Sequence, residues 1–481
     1  MGERVIVVLL DILVIYNILF AFLIIFFEKR NPASTWAWLM VVLLVPYVGS
    51  FIYLIGGLEP RKHRTFRDKS AKDAENALKI AEMKLPGLDY QELSPPENGG
   101  GFPHDLVFLN HSAGGGALTY GNNVTAYFEG EDKFAALIRD IEKAEKYIHL
   151  QYYIFRNDGI GERLVEALTE KAAKGVEVLV MIDGMGNLFV PRRMFKPLLE
   201  AGGRLAVFIP PRFIRLNYRN HRKICVIDGK TGYVGGLNIG DEYLGKSRRF
   251  GHWRDCHLRI EGGGAKELEK RFMQDWNYLS DYRLEPGEFY FPRADAPPGA
   301  VPVQIVSSGP DTEWPGIHQS YIKMINEADK SIYMQTPYFI PDDAVLESLK
   351  IAALSGVDVR IVIPGNPDHP FVYWASTSYL SDLIKAGVKC YLYKNGFLHS
   401  KMLIIDEKAA SVGTANMDVR SFKLNFEINA FVFGGDFCRE LSRRFFSDLD
   451  DCVDFGLKDT QNRNPVEKVK EAFSRLISPL L

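Results

Sequence analysis

Two apolar runs open the chain. Residues 5–27, VIVVLLDILVIYNILFAFLIIFF, are apolar apart from Asp11 and Asn17. A helix over such a run would reach about 34 Å, enough for a hydrocarbon core of roughly 30 Å. A secretory signal peptide fits poorly, because the run is too long and no A-x-A cleavage pattern follows. Residues 35–55, TWAWLMVVLLVPYVGSFIYLI, form the second run, with Trp36 and Trp38 where interfacial aromatics belong. Pro46 and Gly49 predict a kink there, so this arm is either tilted or re-entrant. The connector EKRNP is short enough to make the two runs a hairpin. Its Lys29 and Arg30 are outnumbered by Arg61, Lys62, Arg64, Arg67, Lys69 and Lys72 after the second run, and the positive-inside rule therefore puts the long C-terminal region in the cytoplasm.

From about residue 125 the period changes and begins to alternate. EDKFAALIRDIEKAEK has helical spacing, YIHLQYYIF is a β-rich run, GIGERLVEALTEKAAKG is helical and VEVLVMID is an apolar strand. The same order returns as HQSYIKMINEADK, SIYMQTPYFI, DAVLESLKIAALSG and VDVRIVIPG, with Gln151 matching Gln335 and AGGRLAVF at 201–208 echoed by AGVKCYLY at 386–393. The repeat is thus a duplicated α/β domain of about 170 residues, not a solenoid period. Two such halves should pack about a pseudo-twofold axis. The expected organisation is an α/β protein with a transmembrane hairpin at 1–60, a juxtamembrane helix and Gly/Pro-rich linker at 61–121, α/β domains at 122–300 and 301–460, and an amphipathic helix at 461–481. That last helix places Val466, Val469, Phe473, Leu476 and Ile477 on one face, which suits either a docked core helix or one lying on a bilayer.

Composition narrows the picture only a little. With 58 basic and 60 acidic residues the net charge is -2, which argues against nucleic acid as the main partner. The five cysteines, Cys225, Cys256, Cys390, Cys438 and Cys452, are scattered and form no CxxC pair, and the histidines form no HExxH, so neither a disulfide framework nor a metal site is expected.

The chemistry is carried by a sparse polar pattern that occurs twice. HRKICVID at 221–228 and HSKMLIID at 399–406 each place Lys two residues after His and Asp five after that Lys, and each is followed by Gly-x-x-Asn, ending at Asn238 and Asn416. Alternation sends His221 and Lys223 to one face, and likewise His399 and Lys401. Lys supplies charge, Asn an amide donor, and His a nucleophilic or acidic nitrogen, a suitable cradle for phosphate. One copy is half of a phosphoryl-transfer site. Two copies facing each other let one His attack phosphorus while the other protonates the leaving alkoxide, with no metal or cofactor required. The candidate catalytic set is therefore His221, Lys223, Asp228, His399, Lys401 and Asp406, with Lys223, Asn238, Lys401 and Asn416 binding phosphate. Within it, alternation turns Asp228 and Asp406 away from their histidines, which assigns them a salt-bridge or turn role. The carboxylates expected to orient the histidines are Asp255 in GHWRDCHLRI and Glu427 in LNFEINAFV, each following its own motif, 34 residues after His221 and 28 after His399.

These residues resemble the phospholipase D superfamily, whose signature H-x-K-x4-D-x6-G-x-x-N both copies satisfy. Within it the chain looks like the bacterial cardiolipin synthases over nearly its whole length: RNPASTWAWLMVVLLVPYVGSFIYLIGG, IHLQYYIF, RNHRKICVIDG with GGLNIGDEYLG, HWRDCHLRIEG, and GTANMDVRSFKLNFEINA. The resemblance implies two phospholipase D-like domains with the active site at their interface. It also implies phosphatidyl transfer between two phosphatidylglycerols, giving cardiolipin and glycerol at a cell membrane through a phosphatidyl-histidine. In relatives the N-terminal His is usually the nucleophile, here His221, with His399 as acid and then base. A hydrolase, a transferase to another alcohol, a nuclease and a non-enzymatic scaffold are the other readings, and the oligomeric state stays open, a homo-oligomer included. Tyr152, Tyr153 and Tyr338 are candidates for a lipid groove, Arg212, Arg215 and Arg219 for attracting anionic headgroups, and His369 for the site entrance.

Overall fold

The computed structural model describes residues 2–27, 32–45, 47–53, 62–84, 103–208, 218–293, 299 and 301–478. The side chains of Lys29, Arg30, Arg61, Lys62, Arg64, Arg67, Arg212, Arg215 and Ile477, which carried several of the charge and face expectations, lie outside the described residues, as does most of the expected linker before residue 103.

The first apolar run forms helix α1 (Gly2–Phe27) and the second begins as α2 (Pro32–Leu44). They pack as a hairpin, with Ile24 of α1 buried against Trp38, Leu39, Val42 and Tyr53. The kink expected in the second arm is a full break: α2 ends at Leu44, Tyr47 takes a φ of 65°, and a separate turn of helix follows at Val48–Ile52. Gly49 sits against the carbonyl of Val41, where a Cβ would collide. At 13 residues α2 is about 20 Å long, less than a hydrocarbon core. Among the described residues no helix is long and apolar enough to cross a membrane, and side chains of α1 are described only from Ile12 onward.

Helix α3 (Lys62–Glu82) packs on the long helix Gly263–Leu279 of the first half. Lys69, on this helix, is buried and ion-paired with Asp73, Asp275 and Asp311 at 2.6, 3.1 and 2.6 Å. Phe66 stacks edge-on against Tyr218 and Phe426. Sequence reading made 85–121 a linker, but its end is ordered structure. Helix α4 (His104–Gly114) packs on α8 (Gly316–Glu327) of the second half, and the first strand starts at Leu118. The many Gly and Asn residues hid a helix whose Asn110 donates to Gln304 at 3.0 Å.

The first half contributes strands β1 (Leu118–Tyr127), β2 (Tyr147–Tyr152), β3 (Glu177–Asp183), β4 (Arg204–Phe208), β5 (Ile224–Ile227), β6 (Thr231–Gly235) and β7 (His257–Glu261). The second contributes β8 (Val301–Ser308), β9 (Ser331–Gln335), β10 (Asp358–Pro364), β11 (Lys389–Tyr393), β12 (Met402–Ile405), β13 (Ala409–Gly413), β14 (Asn425–Phe433) and an added edge, β15 (Cys452–Phe455). All join one sheet in the order β4-β3-β2-β5-β6-β7-β1-β8-β14-β13-β12-β9-β10-β11-β15. Apart from β15 the order reads the same from either end, and its centre is the antiparallel pair β1–β8, with Leu118 opposite Gln304. The duplicated sequence is thus a duplicated fold about a pseudo-twofold axis. Each half has its own apolar core, and a third core mixes both, with Ile224, Val226 and Leu258 packed among Ile404, Val412 and Val432.

The longer helices of the halves include α5 (Gly130–Lys143), α6 (Gly159–Ala173) and α7 (Gly263–Leu279) in the first, and α9 (Asp343–Leu354), α10 (Pro370–Lys385) and α11 (Gly435–Leu449) in the second. The chain closes with α12 (Pro465–Ile477), which packs on α10.

Candidate active site at the junction of the halves

Each histidine reaches the site on a short extended segment that leaves its own half. Arg219–Asn220 pairs in parallel with Asn425–Phe426, and the His221 amide continues the ladder onto the Phe426 carbonyl at 3.0 Å. Phe397–Leu398 pairs in parallel with Trp253–Arg254, and the His399 amide bonds the Arg254 carbonyl at 2.7 Å. This crossing overturns one expectation. The orienting carboxylates are Asp255 and Glu427, but neither serves the histidine of its own motif. His221 Nδ1 donates to Glu427 at 2.9 and 3.0 Å, and His399 Nδ1 donates to Asp255 at 2.7 Å. A carboxylate on Nδ1 fixes the tautomer and leaves Nε2 as the nitrogen available to the cavity that both rings line.

The carboxylates are themselves held. Glu427 accepts from Thr414 Oγ1 at 2.5 Å and from Asn425 at 3.0 Å, and Asp255 accepts from the Cys256 amide at 2.7 Å. Gly236, in the first motif, lies directly over the Asp255 carboxylate, so a Cβ there would overlap it.

Lys223 and Lys401 are buried, and each donates one hydrogen bond to the carbonyl of the His two residues before it, at 2.8 and 2.5 Å. An ammonium carries three donors, so two on each lysine have no protein partner among the described residues. Asn238 and Asn416 line the cavity. Each spends one amide hydrogen on a neighbour, Asn238 on Tyr243 at 3.2 Å and Asn416 on Asp418 at 3.1 Å, which leaves one hydrogen apiece.

Asp228 and Asp406, both in the candidate catalytic set, are engaged with backbone amides of their own halves, and neither lines the cavity. Asp228 has a φ of 54° and accepts the amides of Glu145, Lys146 and Tyr147 at 2.9, 2.8 and 2.9 Å, fastening the start of β2. Asp406 repeats this at a φ of 52° on Asp329, Lys330 and Ser331 at 2.9, 2.8 and 2.9 Å. Both sit just past the end of their strand in a left-handed turn, so it is the turn and not strand alternation that directs them away from the histidines.

Electrostatics sets these groups for anion chemistry. Burial pushes His221 down to about 4, with Glu427 opposing and Lys223 adding to the depression. Burial and Lys401 bring His399 to about 4 against the pull of Asp255. Burial likewise lowers Lys223 to about 7 and Lys401 to about 8. Burial alone would raise Glu427 and Asp255, but the facing His and Lys hold both below the usual carboxylate range. These shifts favour neutral imidazoles, and a phosphate anion beside them would favour the charged forms of the lysines and imidazoles.

The cavity, about 430 Å³, is walled by Tyr153, Arg219, Trp253, Tyr338, His369 and Arg420 among others. Tyr153 packs edge-on to His221 at 5.0 Å, while Trp253 and Phe397 flank His399 at 5.2 and 6.1 Å. Of the groove candidates, Tyr153 and Tyr338 line the cavity, but Tyr152 is a core residue whose hydroxyl takes a bond from Lys133 at 3.0 Å. Trp253, Phe397 and Thr414 went unnoticed in the sequence. The two-residue strand pair that brings Trp253 and Phe397 in is too short to show a period, and Thr414 directly follows the end of β13. Among the described residues no group of His, Cys, Asp or Glu is placed to hold a metal ion.

Comparison with known proteins agrees with this geometry. The family described as cardiolipin synthase, PLD-like domain, matches residues 137–276 and 321–449, one span in each half, and a phospholipase D-nuclease N-terminal segment matches residues 9–57. A cardiolipin synthase of Oceanobacillus iheyensis is 45% identical over 98% of this chain and 99% of its own length, and the major cardiolipin synthase ClsA of Bacillus subtilis is 44% identical over the same shares. A crystal structure of a phosphatidylserine synthase from Haemophilus influenzae shares the fold, with a TM-score of 0.59 at 15% identity over 74% of this chain and 95% of that one. With two matched domains, near-complete coverage by such relatives and both motifs intact, the chain belongs to the cardiolipin synthase family of phospholipase D-type phosphatidyltransferases.

Proposed function

We propose that the protein joins two phosphatidylglycerols into cardiolipin, releasing glycerol. His221 Nε2 attacks the phosphorus of the first lipid, the phosphorus–glycerol oxygen bond breaks, and His399 gives its proton to the departing alkoxide. The hydroxyl of a second phosphatidylglycerol then loses its proton to His399 and attacks the phosphatidyl-histidine, and the phosphorus–nitrogen bond breaks. The choice of His221 as nucleophile follows the family resemblance, since the two sides are chemically alike. The observation that carries the reading is the pair of imidazoles on one cavity, each with Nδ1 held by a carboxylate from the opposite half. The spare donors of Lys223 and Lys401, with one amide hydrogen each from Asn238 and Asn416, supply the charge and hydrogen bonds for phosphate without a metal ion.

The same reading makes the N-terminal hairpin a membrane anchor. It is supported by the exposed apolar side chains on its outer faces, Ile15, Ile18, Leu19, Phe22 and Phe26 on α1 and Met40, Leu43 and Leu44 on α2. The break after α2 favours a second arm that enters the bilayer without crossing it as one straight helix, and the catalytic halves are placed on the cytoplasmic side. Nucleic acid is not a partner in this reading. The test is product analysis: purified protein given phosphatidylglycerol in detergent with EDTA should release glycerol and form a four-chain lipid. Phosphatidic acid as the sole product would make it a hydrolase. Phosphohistidine should be trapped in His399→Ala and map to His221, and trapping it in His221→Ala, on His399, would reverse the assignment.

A further inference from the structure

The C-terminal helix α12 docks with its polar side inward. Ser474 and Ser478 are buried, Arg475 pairs with Asp382 of α10 at 2.7 Å, and Glu471 accepts from Thr377 at 3.1 Å. At 100° per residue this leaves Val466, Val469, Phe473 and Leu476 on the side facing away, and they are 62, 68, 53 and 66% exposed. A helix docked for core packing does the reverse. The exposed stripe lies beside the active-site mouth, because Ser478 at its end and His369 and Val372 at the start of α10 line the cavity itself. Phe371, between them, is 47% exposed. The opposite rim, contributed by the first half, has the same character. The loop after β3 is tied to the cavity wall by Asn187, which donates to the Tyr153 carbonyl at 2.8 Å, and it exposes Leu188 and Phe189 at 60 and 90%. These two loops follow equivalent strands, β3 and β10. Basic side chains stand next to both apolar tips, with Arg192 and Arg193 exposed on one rim and Lys468 and Lys470 on the other.

We propose that these two rims form an interfacial docking surface for an anionic bilayer, with α12 lying in the headgroup region and the cavity mouth pressed against the lipid. The inference rests on the proposed function, in which both substrates reside in the bilayer. Continuity of the apolar rims with the cavity and the flanking basic side chains commit the surface to an anionic bilayer, in preference to a second copy of the chain. Lipid can then pass its headgroup into the cavity while its acyl chains stay in the apolar phase.

The test uses the full chain reconstituted in phosphatidylglycerol-containing vesicles. An environment-sensitive fluorophore on Phe473→Cys should shift to the blue and be quenched by lipids brominated on the acyl chains, whereas the same label on Lys468→Cys should report water. A label at 473 that stays in water with the protein in vesicles would overturn the proposal. So would a blue shift that appears without lipid and grows with protein concentration, which would give the face to a second copy. In the double variant Phe473→Ser/Leu476→Ser, the ratio of turnover on bilayer phosphatidylglycerol to turnover on a short-chain, monomeric form should fall about tenfold. An unchanged ratio counts against the proposal. The fluorescence readout needs no turnover, so a failure of the proposed reaction, seen as no cardiolipin in detergent, is told apart from a failure of docking.

Discussion

The two sides of the active site perform the same task with the guanidinium supplied from opposite partners. On the His221 side, the residue between His and Lys is Arg222, which bonds Asp275 of α7 at 2.6 Å, and the residue before the orienting carboxylate is Phe426. On the His399 side the intervening residue is Ser400, and the residue before the carboxylate is Arg254, which reaches Asp448 of α11 at 2.6 and 2.8 Å. In both cases a buried arginine ties the floor of the site to the aspartate of a long helix. The guanidinium arrives on the histidine segment on one side and on the carboxylate strand on the other. Duplication therefore preserved the charge arrangement and not the residue that provides it. What must be conserved physically is a cation opposite the helix aspartate, because an unpaired carboxylate there would be buried.

The comparison can be broken in several ways. The largest effect is expected at the histidines: His221→Ala and His399→Ala should each lower turnover by at least about a thousandfold, since the first loses the attack and the second the proton transfer. Full activity in either variant would end the two-histidine scheme. Next come the crossed carboxylates. Glu427→Gln and Asp255→Asn should each cost about a hundredfold or more in kcat, and in rapid-quench experiments Glu427→Gln should slow formation of the phosphohistidine on His221. If Asp255→Asn alone slowed that step, the crossed pairing would be wrong in function. The arginines should separate the two sides by stability. Arg254→Met leaves Asp448, among the described residues, with Arg444 at 3.2 Å as its ion-pair partner and should cost about 3 kcal/mol or more in denaturant unfolding. Arg222→Met should cost less, because Asp275 keeps Lys69 and Arg271 at 3.1 and 2.7 Å.

Asp228→Ala and Asp406→Ala should each cost about 2 kcal/mol of stability, by stranding backbone amides, with kcat changing by less than about threefold in the folded protein. A larger loss in kcat would return these residues to the catalytic set. The smallest and broadest effect is on pH dependence. The lysines bind phosphate as cations, and their lowered values of about 7 and 8 mean that the binding form is lost as pH rises through that range. On this basis the affinity for a non-reactive phosphatidylglycerol analogue should fall above about pH 7–8, and Lys223→Arg should move that limb to higher pH if the charge is what matters.

Much of this was legible in the sequence, for specific reasons. The duplication and the five-residue pattern pointed to two facing half-sites, and the structural role read for Asp228 and Asp406 fits their backbone bonds, although a turn past the strand end and not alternation places them. The crossing of the carboxylates was not legible. A carboxylate 34 residues after one histidine and another 28 after the other give the same spacing whether each serves its own half or the opposite one. The choice is made by two-residue strand pairs, 219–220 with 425–426 and 397–398 with 253–254, which are too short to show a period. Helix α4 was missed because its Gly- and Asn-rich surroundings read as loop, and the break after α2 was foreseen as a kink from Pro46 and Gly49.

The crossed pairing also sets an order of events during synthesis. His221 emerges from the ribosome more than two hundred positions ahead of Glu427, and Asp255 waits likewise for His399. Until the second half has been made and folded against the first, the chain carries a histidine with no partner to fix its tautomer and no opposing acid. The two crossed hydrogen bonds therefore form only once the chain has been made through Glu427, and the paired site assembles with the second half.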